Sequence, residues 1–197
     1  MRPLLIATSN KGKITEISES LIGIPHEIIT PSSIGFSDPP PDETGDTFAA
    51  NAMQKAIYYY ELGKVPTVAD DSGILIDAIA GELGIHTRRW GAGADASDAE
   101  WIDYFLKRMQ KEKNRKARFV CNLAFIDDEG LPHTFEGVCE GSITEELEAD
   151  YLPGLPISAC FRPDGFNQVY SAMSVEEKNA ISHRGKAVAA LRSHLIV

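Results

Sequence analysis

Apolar residues along this chain change their spacing several times, and each change marks an element. The run PLLIAT (3–8) is short and continuous, the pattern of a buried strand. The next segment, NKGKITEISESLIG, sets Ile14, Ile17 and Leu21 at helical intervals before Gly23. A second apolar run, EIIT (27–30), leads into SDPPPDETGD (37–46), whose consecutive prolines predict a stiff surface loop. From Asp46 or Thr47 as N-cap, Phe48, Ala52, Ala56 and Tyr60 recur every four residues, with Ala49, Met53 and Ile57 beside them. That repeat predicts a helix with a broad apolar stripe.

VPTVA and ILIDAIA then bracket an acidic pair, Asp70 and Asp71. The segment DASDAEWIDYFLKRMQKEKNRK predicts an amphipathic helix with Trp101, Phe105 and Met109 on one side. RFVCNLAFID and HTFEGVCEG read as two strands of a β-hairpin. Near the end, Ser174 and Glu177 form a capping box, and SHRGKAVAALRSHL predicts a terminal helix with Val188, Leu191 and Leu195 inward. Early strand and helix alternation followed by a hairpin predicts an α/β fold with a mixed β-sheet, in one domain spanning 1–197.

Composition narrows the function. The hydrophobic share of 43% suits a soluble globular protein, and no apolar run is long enough to span a bilayer. The opening MRPLLIATSN is too short for a secretory core, so the chain reads as cytoplasmic. Nineteen Lys and Arg face 29 Asp and Glu, a net charge of −10 that argues against binding nucleic acid polymers or anionic membranes. Any anion site must then be local. Cys121, Cys139 and Cys160 form no CxxC pair and read as buried thiols.

Two helix starts carry such local positive charge. A helix N-terminus is partially positive, so cations there are unfavourable by roughly 0.3–1 kcal/mol. Even so, TSNKGK places Lys11 and Lys13 at one start, and SHRGKA places His183, Arg184 and Lys186 at another. Side chains reaching into water would explain either alone. Both together, in an acidic protein, point to a phosphate site built from Thr8, Ser9, Asn10, backbone N–H groups and the cations, with Gly12 and Gly185 allowing close approach. It is not a P-loop, because GxxxxGK[ST] is absent.

The acidic pair needs a positive partner. Asp70, Asp71 and Glu43 could together hold Mg²⁺, with one carboxylate left to take a proton; the alternative is that an Asp caps a helix and Glu43 is ordinary loop acidity. Asn51 and Lys55, at i and i+4, share a helix face, so Lys55 could lean toward metal and phosphates or merely cover the apolar stripe. Lys178 and His183 carry the same two readings, ligand contact or local structure.

TSNKGK, ETGDTFAANAMQKA, ADDSGILIDAIAGELGIHTRRWGAG, ARFVCNLAF and EEKNAISHRGKA, in this order and spacing, resemble the inosine triphosphate pyrophosphatase family, the XTP/dITP diphosphatases. The resemblance implies an elongated α/β fold with two lobes around a central cleft, usually a homodimer. It also implies Mg²⁺-dependent hydrolysis of nonstandard purine nucleoside triphosphates to monophosphate and pyrophosphate, which cleanses the nucleotide pool. By position, Thr8, Ser9, Asn10, Lys11, Gly12 and Lys13 match the triphosphate loop. Glu43, Asp70 and Asp71 match the metal site, with Asp71 as base, and Lys55, Ser72, Lys178, His183 and Arg184 match substrate contacts.

One segment departs from the family pattern of glycine, aromatic, glycine, aromatic, aspartate, proline. Here stand Gly154, Leu155, Pro156, Ile157, Ser158 and Ala159, so Leu155 and Ser158 occupy the base-recognition loop without its aromatic and aspartate. The expectation is an altered or relaxed base preference, with Trp90, Tyr151 or Phe166 as substitute platform or simply as core. Two further readings compete with the pyrophosphohydrolase: a non-catalytic nucleotide binder or sensor, and an enzyme removing only the terminal phosphate.

Overall fold

The structure is a computed structural model that describes residues 1–36, 41–87, 90–93 and 95–196. Six strands form one sheet in the order β2-β1-β3-β4-β5-β6: β1 (Arg2–Ile6), β2 (His26–Ile29), β3 (Thr67–Ile76), β4 (Lys116–Ile126), β5 (Pro132–Ile143) and β6 (Phe161–Pro163). β1 runs parallel to β2 and β3, while β3, β4, β5 and β6 pair antiparallel. The parallel end needs crossovers, which α1 (Lys11–Ser20) and α2 (Phe48–Gly63) supply; among the antiparallel pairs β4 and β5 are joined by a short turn, whereas longer segments, 77–115 and 144–160, lead from β3 to β4 and from β5 to β6. The fold is the mixed-sheet α/β fold expected.

Strand side chains alternate between faces, and helices cover both. On one face Leu4, Ile6, Val68, Cys121 and Leu123 pack against Ile17 and Leu21 of α1 and Ala187, Val188 and Leu191 of α5 (His183–Leu195). On the other, Leu5, Ala7, Ala69, Ala124 and Ile126 meet Ala52, Ala56 and Tyr59 of α2. Farther along the same long strands, Ile74, Ile76, Ala117 and Ile143 pack on Trp101, Phe105 and Met109 of α3 (Asp98–Met109). The strands thus carry two lobes, with a cleft where the first helix layer ends and the second begins.

Local chemistry explains the ends. Thr47 rather than Asp46 caps α2, its side chain accepting the Ala50 N–H, and the Ser174–Glu177 capping box opens α4 (Val175–Ile181). All three cysteines are free and buried. The α3 helix stops at Met109, short of the expected span. Residues 110–115 offer no apolar face, and Arg115 turns back to donate to the carbonyls of Met109, Ile143 and Thr144, which delivers Lys116 into β4. Ser37 to Pro40 of the proline loop expected at 37–46 lie outside the described residues, as do Arg88, Arg89 and Ala94. No helix among the described residues is long and apolar enough to cross a membrane.

Gly137 of β5 lies directly beneath α5. A Cβ there would stand 2.0 Å from the His183 carbonyl oxygen and 2.7 Å from the Ala187 nitrogen, both backbone atoms. Gly137→Ala must therefore lift the helix and is expected to destabilise by at least about 2 kcal/mol. A thermal melt followed by circular dichroism checks this; an unchanged midpoint would mean that α5 has slack against the sheet.

Candidate active site

β3 runs without a break through the acidic pair, so neither Asp caps a helix, and strand alternation sends the two side chains to opposite faces. Asp70 turns toward α1 and α5. Its Oδ2 lies 2.9 Å from Lys13 Nζ and 3.4 Å from Arg184 Nη2, and Ser72 Oγ donates to it at 3.2 Å. Asp71 turns toward α2, where Asn51 Nδ2 donates to its Oδ2 at 3.1 Å and Lys55 Nζ stands 3.7 Å from its Oδ1. Lys55 also holds Glu43 at 2.6 Å, so Glu43 and Asp71 flank one ammonium. Asn51 fixes the loop that carries Glu43 by accepting the Gly45 N–H at 2.8 Å.

Opposite environments push the two carboxyls apart. Burial would raise Asp70, but Lys13 and then Arg184 outweigh it and hold that carboxyl well below the usual range. At Asp71 burial wins over Lys55 and Lys13, with Glu43 adding repulsion, and the pKa is raised. Paired carboxyls whose environments separate their proton affinities are suited to different tasks: Asp70 to structure, Asp71 to accepting a proton.

The cationic side is built on the two unusual helix starts. Asn10 caps α1, its Oδ1 accepting the Lys13 N–H at 3.1 Å, and Ser182 caps α5 by accepting the Gly185 N–H at 3.0 Å. Neither helix has an acid in its first turn, whereas α3 carries Asp98 and Glu100 and α4 carries Glu176 and Glu177. Glu16, one turn beyond Lys13 on α1, gathers the remaining cations: Lys178 Nζ donates to it at 2.6 Å and Arg184 pairs with its other oxygen. Burial pushes Glu16 up, but Arg184 and Lys178 hold it down at about 2. His183, buried beside Arg184, is pushed down to about 3 by that burial and is a neutral imidazole, stacked on Phe119 at 4.7 Å.

These groups line one cleft of about 490 Å³. Thr8, Ser9, Asn10, Lys13, Lys178 and Arg184 stand on the cationic side together with Ser72, whose Oγ accepts from Arg184 Nη2 at 2.8 Å, and Glu43, Lys55 and Asp71 stand across from them. Beyond lie Trp101, Phe119, Leu155, Ile157, Ser158 and Tyr170. The loop bearing Leu155 is tied down at two points: the Gly154 N–H donates to Asp98 Oδ2 at 2.6 Å, and the Leu152 N–H to Ser158 Oγ at 3.0 Å.

The sequence profile of the Ham1 family matches residues 4–194. The chain belongs to the Ham1 family. It is 36% identical over 187 residues to the dITP/XTP pyrophosphatase of Leptospira interrogans, covering 95% of this chain and 93% of that one. The dITP/XTP pyrophosphatase of Streptomyces coelicolor is 36% identical over 195 residues, 97% of this chain and 96% of the relative. Among solved structures, the HAM1 protein from Coxiella burnetii superposes with a TM-score of 0.84 at 32% identity, covering 99% of this chain and 98% of that one.

Within this Ham1-family chain most of the residues singled out from sequence meet in the cleft, and the exceptions have physical reasons. Asp70 is fully buried on the other face of β3 and committed to Lys13 and Arg184, so the expected three-carboxylate set is not assembled. No cluster of three potential metal ligands forms among the described residues, and Glu43 and Asp71, which flank Lys55, are two acids that could hold a cation together. Lys11 is exposed and lines no part of the cleft. Gly12 packs instead against the loop at 153–155, where an added Cβ would stand 3.2 Å from the Pro153 oxygen. Trp90, Tyr151 and Phe166 also stay outside the lining; Trp101, Phe119 and Tyr170 take that place. Glu16 went unnoticed in a chain with surplus acids, although its spacing of three from Lys13 puts both on one helix face.

Proposed function

We propose that this chain hydrolyses nucleoside triphosphates to nucleoside monophosphate and pyrophosphate, acting on nonstandard purine forms such as the dITP and XTP for which its relatives are named, and so cleans the nucleotide pool. The observation that carries the reading is the placement of Asp71, a proton acceptor of raised affinity, across one cleft from Lys13, Lys178 and Arg184. Water attacks the α-phosphorus and gives its proton to the Asp71 carboxylate. The new P–O bond forms as the bond to the β-bridging oxygen breaks, and the cations retain the departing pyrophosphate. Positioning and electrostatics supply most of the rate.

The reading includes Mg²⁺. Lys13, Lys55, Lys178 and Arg184 are already balanced by Asp70, Glu43, Asp71 and Glu16, so an arriving triphosphate finds little uncompensated positive charge. Glu43 and Asp71, drawn to one ammonium, suit a hard cation that takes a few carboxylates plus water and phosphate oxygens. Such an ion would supply charge neutralisation at the phosphates. The reading also includes a homodimer, as the family resemblance implies, working in the cytoplasm.

Pyrophosphate release from inosine triphosphate, with the nucleotide product identified by chromatography, tests the function. Activity is expected with Mg²⁺ and is expected to vanish with EDTA. Nucleoside diphosphate as product would overturn the cleavage site, and undiminished turnover in EDTA would remove the metal. Leu155 and Ser158 in place of an aromatic and an aspartate support a relaxed base preference. Comparison of kcat/KM across inosine, xanthosine, guanosine and pyrimidine triphosphates, all of which carry a base carbonyl, is expected to show a shallow ranking; strict preference for the inosine and xanthosine forms would defeat that expectation.

A further inference from the structure

One residue of the cleft lining carries a hydrogen-bond donor that no described protein group satisfies. Trp101 lines the cleft and is 2% exposed, and its indole nitrogen is buried with no hydrogen-bond partner among the described residues. An indole nitrogen can only donate, and a buried donor left unpaired is unfavourable. The ring is held in place, stacked on Phe105 at 5.4 Å and 15° and tilted against Trp90 at 6.1 Å.

Its location ties it to the base loop. Asp98, three residues earlier on the same face of α3, accepts the Gly154 N–H, so the helix turn that carries Trp101 also anchors the loop bearing Leu155 and Ser158. In the neighbouring lining Leu152, Leu155, Ile157 and Phe119 offer no acceptor side chain, Ser158 Oγ accepts the Leu152 N–H, and the Tyr170 hydroxyl is itself buried without a hydrogen-bond partner among the described residues. Of the cleft's carboxylates, Glu43 and Asp71 are drawn to Lys55, and Glu16 to Lys178 and Arg184.

We propose that Trp101 is a specificity-determining residue, its indole N–H donating to a carbonyl oxygen of the substrate's base. This rests on the reading of the cleft as a nucleoside triphosphate site. A group that only donates accepts a carbonyl and rejects an amino group presented at the same point.

The test compares wild type and Trp101→Phe, each with inosine triphosphate and with purine riboside triphosphate, which lacks the base carbonyl. In wild type, removing the carbonyl is expected to lower kcat/KM at least about tenfold, mainly through KM. Trp101→Phe is expected to lose that preference and treat the two substrates alike. A purely structural role would slow both and keep the ratio, and a kept ratio overturns the inference. Should the variant not fold, Trp90→Phe leaves Trp101 as the sole indole, since the chain has 2 tryptophans. Its emission is expected to shift with a nonhydrolysable inosine triphosphate analogue and not with inorganic tripolyphosphate. No shift with the analogue overturns the inference as well. Failure of the wild type to release pyrophosphate from any triphosphate would instead remove the functional reading beneath it.

Discussion

Asp71→Asn is expected to lower kcat by about a thousandfold or more while nucleotide binding falls far less, because a positioned general base alone contributes roughly 10²–10⁴. The amide keeps the carboxylate's size and can still accept from Asn51, so the geometry of β3 and α2 survives. Stability should hold or rise. A carboxyl whose folded pKa is raised by burial destabilises the native state once the pH exceeds its unfolded value, and the neutral amide removes that penalty. Without a bound metal, the wild-type penalty grows as the pH climbs from the unfolded Asp value through the raised folded one, so the stability advantage of the variant should widen over that window. Pyrophosphate release, nucleotide binding and metal-free thermal melts against pH measure these effects. A fully active variant would take Asp71 out of the mechanism.

Glu16→Gln should show the opposite pattern, a large loss of stability. Removing one partner of a buried ion pair leaves uncompensated charge and costs about 3–5 kcal/mol; here two cations, Lys178 and Arg184, lose their counter-ion. The pH dependence follows from the depressed pKa. Glu16 titrates near 4.5 unfolded and about 2 folded, so its contribution is complete above pH 4.5 and disappears as the pH falls toward 2. At about 1.4 kcal/mol per pKa unit the stake is on the order of 3 kcal/mol. Urea denaturation at stepped pH should show that acid-side loss in wild type and its absence in the variant. Bound pyrophosphate should also stabilise the variant more than the wild type, because the ligand then replaces the missing negative charge. Equal urea midpoints for the two proteins at neutral pH would show that Glu16 does not hold these cations.

Local and long-range interactions set different parts of this fold. The α2 stripe, the Ser174–Glu177 box and the hairpin were legible because caps and periodicity act over a few residues. Where local signals thinned, prediction overran: α3 ends at Met109 because Arg115 reaches carbonyls across the fold, including that of Ile143, 28 positions away. The site divides in the same way. Residue types around TSNKGK, ADDSG and SHRG announced phosphate and carboxylate chemistry, since a cation at a helix start or two adjacent acids are anomalies visible without coordinates.

The sequence by itself determined the element types, the mixed α/β class, the two basic helix starts and the acids near them, because backbone propensity, capping and side-chain period are properties of neighbours in the chain. Only the tertiary structure decided that Asp70 and Asp71 work on opposite faces, that Glu16 holds an arginine 168 positions away, and that Trp101 rather than Trp90 lines the cleft. Those outcomes depend on the register of β3 against β4 and on which helix lies over which stretch of sheet. Contacts of that range are set by packing the whole core at once, and nothing in a local window encodes them.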